Sequence, residues 1–223
     1  MLEAEWAFTR TVDDVCRVVE YAVKRALNQA TGAGADLAIL RKGLDNERCC
    51  SLEDAANVST PWTRLSYSEA VAELEKAQST SRPFEFDPGW GKALQSEHER
   101  WIAEQLVGGP VFVTDYPVNL KPFYMRLNDD EKTVGCFDLL VPHLGELVGG
   151  SLREERVPLL DRAVQSHRLN RNDYTWYLDL RKFGGAPHGG FGLGFERLIS
   201  WMSGVDNVRE CIPMPRWAGR MLL

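Results

Sequence analysis

Apolar and polar residues alternate over the first eight positions of the chain. Glu3 and Glu5 share one side, as in a half-buried strand, and the other side carries Leu2, Ala4, Trp6 and Phe8. Thr11 can then cap a helix that ends near Gly32 and Gly34. Apolar residues return at the helical period in this stretch, at Val15, Val18, Val19, Ala22 and Ala26. The pattern predicts a strand followed by an amphipathic helix.

Two capping signals predict the next helices. An S-x-x-E box begins at Ser66 and another at Ser96. In such a box the serine and the glutamate each bind a backbone N–H group that the first helical turn leaves unpaired. Helices are therefore expected over about 66–77 and 96–107, with an irregular stretch that contains proline and glycine at 79–91.

From Pro110 onward the chain is rich in β-branched and aromatic residues. Its apolar runs are joined by short polar turns, one of them over 128–130, and lie at Val111–Tyr116, Phe123–Leu127, Thr133–Val141 and Gly145–Leu152. A helical pattern then extends to about Leu169, and an apolar helix is expected over Phe195–Met202. Strands gathered in the second half with helices around them predict an α+β domain in which helices flank an antiparallel β-sheet.

The composition narrows the classes of function. With 26 basic and 32 acidic side chains among 223 residues, the net charge of −6 argues against a broad cationic surface. The five cysteines form no CxxC pair and the four histidines are scattered, so we expect no zinc site. No apolar run approaches the ~20 residues of a membrane span, so no membrane association is expected. No targeting segment is recognisable in the chain.

Two acidic residues flank a short loop in the stretch FDLLVPHLGELVGG. If the strands on either side pair, Asp138 and Glu146 approach one point, where they could hold Mg²⁺ together with substrate phosphates. The alternative is a solvated loop. Arg153 follows two glycines and could bind a carboxylate or amide oxygen. Its alternative is charge pairing within a solvated helical turn over 153–156.

A glycine-rich segment leads into the predicted final helix. Glycines at 190, 192 and 194 alternate, so one side of a strand would carry no side chains and a flat ring could lie on it. Arg197 falls in the first helical turn, where its guanidinium could stack on a purine or contact a phosphate. The alternative is a strand packed against another backbone, with Arg197 in a structural ion pair.

These segments together resemble a known family. GFGLGFERL (190–198) resembles motif 3 of the class II aminoacyl-tRNA synthetases, and GELVGGSLREER (145–156) resembles the segment before it in asparaginyl-tRNA synthetases of the bacterial or organellar type. Four further segments also resemble asparaginyl-tRNA synthetases, namely PWTRLSYSEAV, LQSEHERWIAE, PVFVTDYPVNLKPFYMRLNDD and YTWYLDLRKFG. The resemblance covers nearly the whole chain and implies a class II catalytic fold.

The resemblance implies ATP-dependent activation of asparagine and its transfer to tRNA(Asn). Asp138 and Glu146 would hold Mg²⁺, and Arg153 with Gly150 would bind the amino acid. ATP would be bound by Gly192, Gly194, Phe195, Glu196 and Arg197. Within this set, Arg197, Glu146 and Arg153 would be the catalytic residues.

Some segments of the family's sequences have no recognisable counterpart in this chain. Residues 1–8 resemble the end of motif 2 and residues 190–203 motif 3, so 1–223 is expected to be a catalytic domain truncated at its N-terminus. On this resemblance we expect the chain to lack the anticodon-binding domain and motif 1, which builds the family's homodimer. Two alternatives stay open: an asparagine synthetase-like enzyme and an inactive binding module. We expect a mitochondrial or cytoplasmic location.

Overall fold

The computed structural model describes residues 1–32 and 46–219. Within these residues six strands form one sheet, namely β1 Leu2–Ala7, β2 Thr63–Ser66, β3 Val111–Thr114, β4 Cys136–Val141, β5 Gly145–Leu152 and β6 His188–Leu193. The helices are α1 Val12–Gly32, α2 Asn46–Ala56, α3 Tyr67–Ser81, α4 Ser96–Trp101, α5 Val157–Ser166, α6 Thr175–Lys182 and α7 Phe195–Ser203. A π-helix, Ile102–Val107, continues α4. No described helix is long and apolar enough to cross a membrane.

The strand order is β1-β6-β5-β4-β3-β2. Four of the five pairings between the described strands are antiparallel, and β2 pairs with β3 in parallel. The parallel pair follows from the long connection between β2 and β3, which contains α3 and α4; parallel neighbours need such a crossover. The predicted antiparallel sheet flanked by helices is confirmed, with this mixed edge as the one departure.

Helices cover the two faces of the sheet unequally. One face packs against α1, α2 and α7 in a continuous core that includes Phe112, Phe137 and Val148. The other face is covered by α3 and the π-helix only near β3 and β4, through Val111 and Leu140. The part of that face formed by β5, β6 and β1 is therefore left open to a cleft.

The predicted first helix forms, but its buried face is displaced. Thr11 accepts a hydrogen bond from the backbone N–H of Asp14, as expected for a cap. Val18 is 43% exposed and Ala22 is also exposed, so the predicted apolar face is wrong at both positions. The buried stripe instead comprises Val15, Cys16, Val19, Val23 and Leu27. Gly34, predicted as one end of the helix, lies outside the described residues.

The first strand is more exposed than its alternation predicts. Leu2 is 52% and Phe8 is 84% exposed, and of the expected apolar side it is Trp6 that packs on the core, edge to face with Phe191. The reason is that β1 is an edge strand, paired with β6 alone among the described strands. Phe8 also has a φ of 64°, which ends the strand.

The helix predicted over 66–77 is confirmed, and Ser66 forms a complete capping box with Glu69. The box predicted at Ser96 is wrong. Helix α4 is capped at Gln95, whose N–H donates to Nδ1 of His98 over 3.1 Å. Glu99 is thereby released from the cap.

Two further predictions need correction. The run Phe123–Leu127 is not a continuous strand, because it makes only isolated bridges, Met125 with Arg153 and Leu127 with Val134. The strand predicted to begin at Thr133 begins at Cys136. Residues 117–134 instead form a folded loop over the cleft side of the sheet, which places Lys121 and Tyr124 beside the cleft.

Candidate active site

A row of paired residues crosses the open face of the sheet. Asp138 on β4 pairs with Gly149 on β5, Gly149 pairs with Gly192 on β6, and Gly192 pairs with Glu3 on β1. Residues that are paired in this way point to the same side of a sheet. The row therefore forms a floor of two glycines between two carboxylates. A cleft of about 700 Å³ lies above it.

Asp138 and Glu146 converge on this floor, as their spacing predicts. A Cβ atom at position 149 would lie 2.9 Å from Oε1 of Glu146 and 3.5 Å from Oδ1 of Asp138. The two carboxylates therefore approach one point above Gly149. The β-bulge between Leu139 and Leu140 shifts the register of the β4–β5 pairing by one residue between Asp138 and Glu146.

The electrostatics of the two acids differ. Asp138 accepts a hydrogen bond from Nζ of Lys121 over 2.6 Å. Glu146 has no hydrogen-bond donor among the described residues. Burial raises the pKa of Glu146, the negative charge of Asp138 adds to the rise, and the positive charges of Lys121 and Arg197 oppose it. A half-buried carboxylate without a donor favours the approach of a cation.

Lys121 is a site residue that the sequence analysis missed. Burial acts to lower the pKa of its ammonium group, but Asp138, through its charge and its hydrogen bond, together with Cys136 and Glu146 outweighs burial and the pKa is raised. Its Nζ also lies 3.9 Å from the ring centre of Tyr116. Lys121 is therefore fully charged at neutral pH and supplies positive charge at the cleft.

Arg153 faces the cleft from the end of β5. Its Nε donates to Oε1 of Glu5 over 3.3 Å, and its Nη1 donates to the Ser151 hydroxyl. The guanidinium also lies 5.3 Å from the ring centre of Tyr124. Arg153 thus meets a carboxylate across the cleft, on the edge strand β1, which lies on the far side of β6 from β5.

The alternative interpretation of the run 153–156 as a solvated helical turn is wrong. Residues 154–156 precede α5 as a loop, and Glu154 is only 1% exposed. Glu154 accepts hydrogen bonds from Nε of Arg156 over 2.8 Å and from the N–H of Leu127 over 3.0 Å. Arg156 is thus a structural partner, and Arg153 remains available to the cleft.

The glycines of the region have different tasks. A Cβ at Gly190 would overlap the carbonyl oxygen of Ala4, so this glycine permits close backbone packing against β1. A Cβ at Gly150 would lie 2.5 Å from the Phe137 ring in the core, so a side chain is excluded there. Gly150 contributes only its backbone to the cleft. Gly149 and Gly192 are the glycines that form the floor; the sequence analysis noted Gly149 beside Gly150 but assigned amino-acid binding to Gly150 alone.

The predicted nucleotide residues are divided between the cleft and its border. Gly192 lines the cleft, whereas Gly194, Phe195 and Glu196 lie at the start of α7 beyond the lining residues. Arg197 is half-buried in the first turn of α7, as expected, and its positive charge lowers the pKa of Glu146. Arg197 therefore influences the site through its positive charge, although it does not line the cleft.

The polar side of β1 is the signal that could have identified Glu3 and Glu5. Both alternate with apolar residues in a strand, and both line the cleft. The sequence does not show that β1 pairs with the glycine strand, since residues 7 and 188 are far apart in the chain. For Lys121 no signal was available, because its position depends on an irregular loop.

The metal-binding capacity of the described residues is limited. Across 1–32 and 46–219, no group of three or more His, Cys, Asp or Glu side chains is arranged to hold a metal ion. Asp138 and Glu146 supply two ligands at most. A magnesium ion there would need further oxygens from water or from a phosphate substrate, which is the usual way that Mg²⁺ is bound.

Comparison with known proteins places this geometry in a family. The model of the family "tRNA synthetases class II (D, K and N)" matches residues 1–218. The chain is 47% identical over 217 residues to the asparagine–tRNA ligase of Oleidesulfovibrio alaskensis, covering 97% of this chain and 46% of the relative. It is 44% identical over 216 residues to the asparagine–tRNA ligase of Geobacter metallireducens, with the same coverage. The chain thus spans about half the length of these curated relatives.

Solved structures give the same result. The asparaginyl-tRNA synthetase of Pyrococcus horikoshii is similar with a TM-score of 0.81 and 31% identity, over 98% of this chain and 49% of that chain. Its complex with asparaginyl-adenylate is similar with a TM-score of 0.81 and 32% identity, over 98% and 47%. These findings confirm the family resemblance. The chain belongs to the class II tRNA synthetases of the D, K and N type.

Proposed function

We propose that this chain contains the amino-acid and ATP site of an asparagine–tRNA ligase. The observation that carries the proposal is the pairing of Arg153 with Glu5 across a glycine floor that also holds Asp138 and Glu146. The similarity to asparagine–tRNA ligases and to a structure that contains asparaginyl-adenylate supports the same activity. ATP is the cosubstrate that this family implies.

Arg153 and Glu5 suit the two ends of a carboxamide. A guanidinium donates to the amide oxygen of asparagine, and a carboxylate accepts from the amide NH₂ group. The side-chain carboxylate of aspartate has no N–H group to donate, and its negative charge would lie against the carboxylate of Glu5. The pair therefore favours asparagine over aspartate by attraction at one end and repulsion at the other.

Asp138 and Glu146 suit a magnesium ion that is shared with ATP. Their carboxylates meet above Gly149, and Glu146 lacks a donor, so the residues present fit the ion. When bound, Mg²⁺ neutralises charge on the phosphates. Asp138 would have to exchange its contact with Lys121 for the ion, and the released Lys121 ammonium group could then face a phosphate.

Activation of asparagine needs positioning and charge neutralisation. A carboxylate oxygen of asparagine attacks the α-phosphorus of ATP, and the bond between the α-phosphorus and the bridging oxygen breaks as pyrophosphate leaves. No proton has to be removed from the ionised carboxylate. Arg153 and Glu5 hold the side chain, while Lys121 and Arg197 supply positive charge near the phosphates.

Transfer to tRNA(Asn) forms the second half of the proposal. A terminal ribose hydroxyl of the tRNA attacks the adenylate carbonyl carbon and forms an ester, the bond between that carbon and the phosphate oxygen breaks as AMP leaves, and the hydroxyl proton passes to the phosphate of the AMP or to water. Because the chain spans about half the length of its curated relatives, this step and the family's homodimer are proposals for the native protein that contains this sequence.

Asparagine-dependent exchange of labelled pyrophosphate into ATP tests the proposal. It should be measured in the 223-residue chain and, where the native protein is longer, in that protein as well. We expect exchange with asparagine and much less with aspartate. Replacing Arg153 with alanine should lower the rate by about 10²- to 10³-fold, the usual loss when one preorganised charge contact is removed. Arg162→Ala is the matched control, because Arg162 is exposed and lies outside the cleft.

Three results would contradict the proposal. The first is exchange absent from the folded protein at every length tested, which would favour a binding module. The second is ammonia-dependent conversion of aspartate to asparagine, which would favour the synthetase-like alternative. The third is equal loss of activity in Arg153→Ala and Arg162→Ala.

A further inference from the structure

Two glutamates on one helical segment hold the turn that joins β4 to β5. Oε1 of Glu104 accepts a hydrogen bond from the backbone N–H of His143 over 2.7 Å. Oε2 of Glu99 accepts one from the backbone N–H of Glu146 over 3.2 Å. The turn between these contacts contains two residues with positive φ, His143 at 67° and Gly145 at 84°. The segment therefore holds both ends of the turn that presents Glu146.

The π-helix explains how both glutamates reach one turn. Glu99 lies in α4 and Glu104 lies in the π-helix five residues later. In a regular α-helix, side chains three or four residues apart share a face and those five apart do not. The wider winding of a π-helix, with i→i+5 hydrogen bonds, brings Glu104 round toward the side of Glu99. Short π-helices of this kind occur frequently at functional sites.

Glu99 is also in close contact with the backbone before Glu146. A Cβ atom at Gly145 would lie 2.6 Å from Oε2 of Glu99, so a side chain at position 145 is excluded while Glu99 stays in place. The positive φ of Gly145 independently favours glycine there. The carboxylate of Glu99 is thus packed directly against the first residue of β5.

We propose that Glu99 is a positioning residue for the Mg²⁺·ATP site, which it serves by fixing the backbone of Glu146 and thereby the direction of the Glu146 carboxylate. This inference rests on the proposed function. It assigns α4 and the π-helix to the nucleotide site, although neither lines the cleft. Glu104 supports the same turn from its other end.

The test compares three variants for binding of Mn²⁺·ATP by calorimetry and for the KM values of ATP and asparagine in pyrophosphate exchange. Glu99→Leu removes the acceptor, and we expect about 10-fold weaker Mn²⁺·ATP binding, as for other groups that orient a metal ligand. The KM for asparagine should stay within about twofold, because Arg153 and Glu5 are not moved. Glu99→Gln keeps an oxygen that can accept the same N–H, and should lose less than about fivefold.

Glu97→Leu is the matched control on the same helix. The Glu97 carboxylate also accepts two backbone N–H groups, from Phe86 over 2.8 Å and from Glu85 over 3.0 Å, but it lies away from the cleft. We expect it to change thermal stability without changing Mn²⁺·ATP affinity. Amide hydrogen exchange at Glu146, measured without nucleotide, should quicken in Glu99→Leu and stay unchanged in Glu97→Leu.

The outcomes separate the two proposals. If the parent protein binds no Mn²⁺·ATP, the proposed function fails and this inference fails with it. If the parent binds and folded Glu99→Leu binds equally well, only the positioning role of Glu99 is overturned. Equal losses in Glu99→Leu and Glu97→Leu, or in Glu99→Leu and Glu99→Gln, would also overturn it, as would unchanged exchange at the Glu146 amide in Glu99→Leu.

Discussion

Two partly buried glutamates in this protein have opposite electrostatic surroundings. Glu20 on α1 accepts hydrogen bonds from Lys24 over 2.6 Å, from Arg64 over 2.7 Å and from the N–H of Trp62 over 2.9 Å. Burial acts to raise the pKa of Glu20, but these donors outweigh it and the pKa is lowered. Glu146 has no such donors among the described residues, and its pKa is raised.

The difference separates an ion pair that supports the fold from a carboxylate that the chain itself leaves without a donor, as the proposed ligand site requires. At Glu20 every charge is matched within the chain, and the carboxylate ties α1 to β2 and the segment before it. At Glu146 the fold places a carboxylate without a hydrogen-bond donor beside Asp138, above the glycine floor, and the charges of Lys121 and Arg197 offset burial and repulsion only in part. Proteins accept such unfavourable arrangements mainly where a ligand or transition state later compensates them.

The largest expected effect is on catalysis. Glu146→Gln should lower the rate of asparagine-dependent pyrophosphate exchange by about 10²-fold or more, because the amide is a weaker metal ligand and carries no charge. Glu20→Gln should leave the rate per folded molecule within about twofold. Equal rate losses in the two variants would remove the distinction between the glutamates.

The second expected effect is on the stability of the fold. Here the larger loss is expected from replacing Glu20, not from replacing Glu146. Glu20→Leu should lower the free energy of unfolding by about 3 kcal/mol, because it leaves Lys24, only 3% exposed, without its carboxylate partner. Urea unfolding measures this difference. The control is Glu73→Leu on α3, whose exposed ion pair with Lys76 should contribute less than about 1 kcal/mol. A similar small loss in both variants would contradict the structural role of Glu20.

The third prediction concerns the sign of a pH effect on stability. Because the pKa of Glu146 is higher in the folded chain than its ordinary value of 4.5, the folded state binds its proton more tightly than the unfolded state does. Ionisation of Glu146 therefore lowers stability as the pH rises above about 4.5. Glu146→Gln should have a higher Tm than the parent at pH 7, by roughly 2–4 °C for each kcal/mol gained, and the advantage should vanish below pH 4.

Glu20 should show the reverse pH dependence. Its lowered pKa means that the stability it contributes is present above pH 4.5 and is lost as the pH falls through its folded-state pKa. Thermal melts of Glu20→Gln should therefore show a lower Tm than the parent at pH 7 and a smaller difference in acid. A Tm difference of the same sign in both glutamine variants would contradict the comparison.

The smallest expected effect concerns Lys121. Its positive charge holds down the pKa of Glu146, so Lys121→Met should raise that pKa further. The loss of Mn²⁺·ATP binding on acidification should then begin at a higher pH, by up to about 1 pH unit. Calorimetric titrations between pH 5 and 8 measure the shift. A shift to lower pH would show that Lys121 does not act on Glu146 in this way.

Much of this site was predictable because its residues have strong local signals. The family motifs identify Asp138, Glu146, Arg153 and Arg197, and the alternating glycines predict a bare strand. The sequence does not determine which glycine serves which purpose. Gly190 and Gly150 are needed for packing and Gly192 for the floor, a distinction set by the register with β1 and β4.

The predictions that failed depend on contacts between distant parts of the chain. The Ser96 box was wrong because Glu99 is held by the β4–β5 turn rather than by its own helix. The solvated turn at 153–156 was wrong because Leu127, from a loop nearly thirty residues earlier, binds Glu154. Val18 and Ala22 were misplaced because Glu20 and Lys24 occupy part of the buried stripe of α1.

A crystal structure with a non-hydrolysable sulfamoyl analogue of asparaginyl-adenylate would test the central claim most directly. We expect the asparagine amide to lie between Arg153 and Glu5 and the sulfamoyl group to lie beside Asp138 and Glu146, over Gly149 and Gly192. An analogue bound elsewhere, with Arg153 still paired to Glu5 and the glycine floor uncovered, would contradict the account.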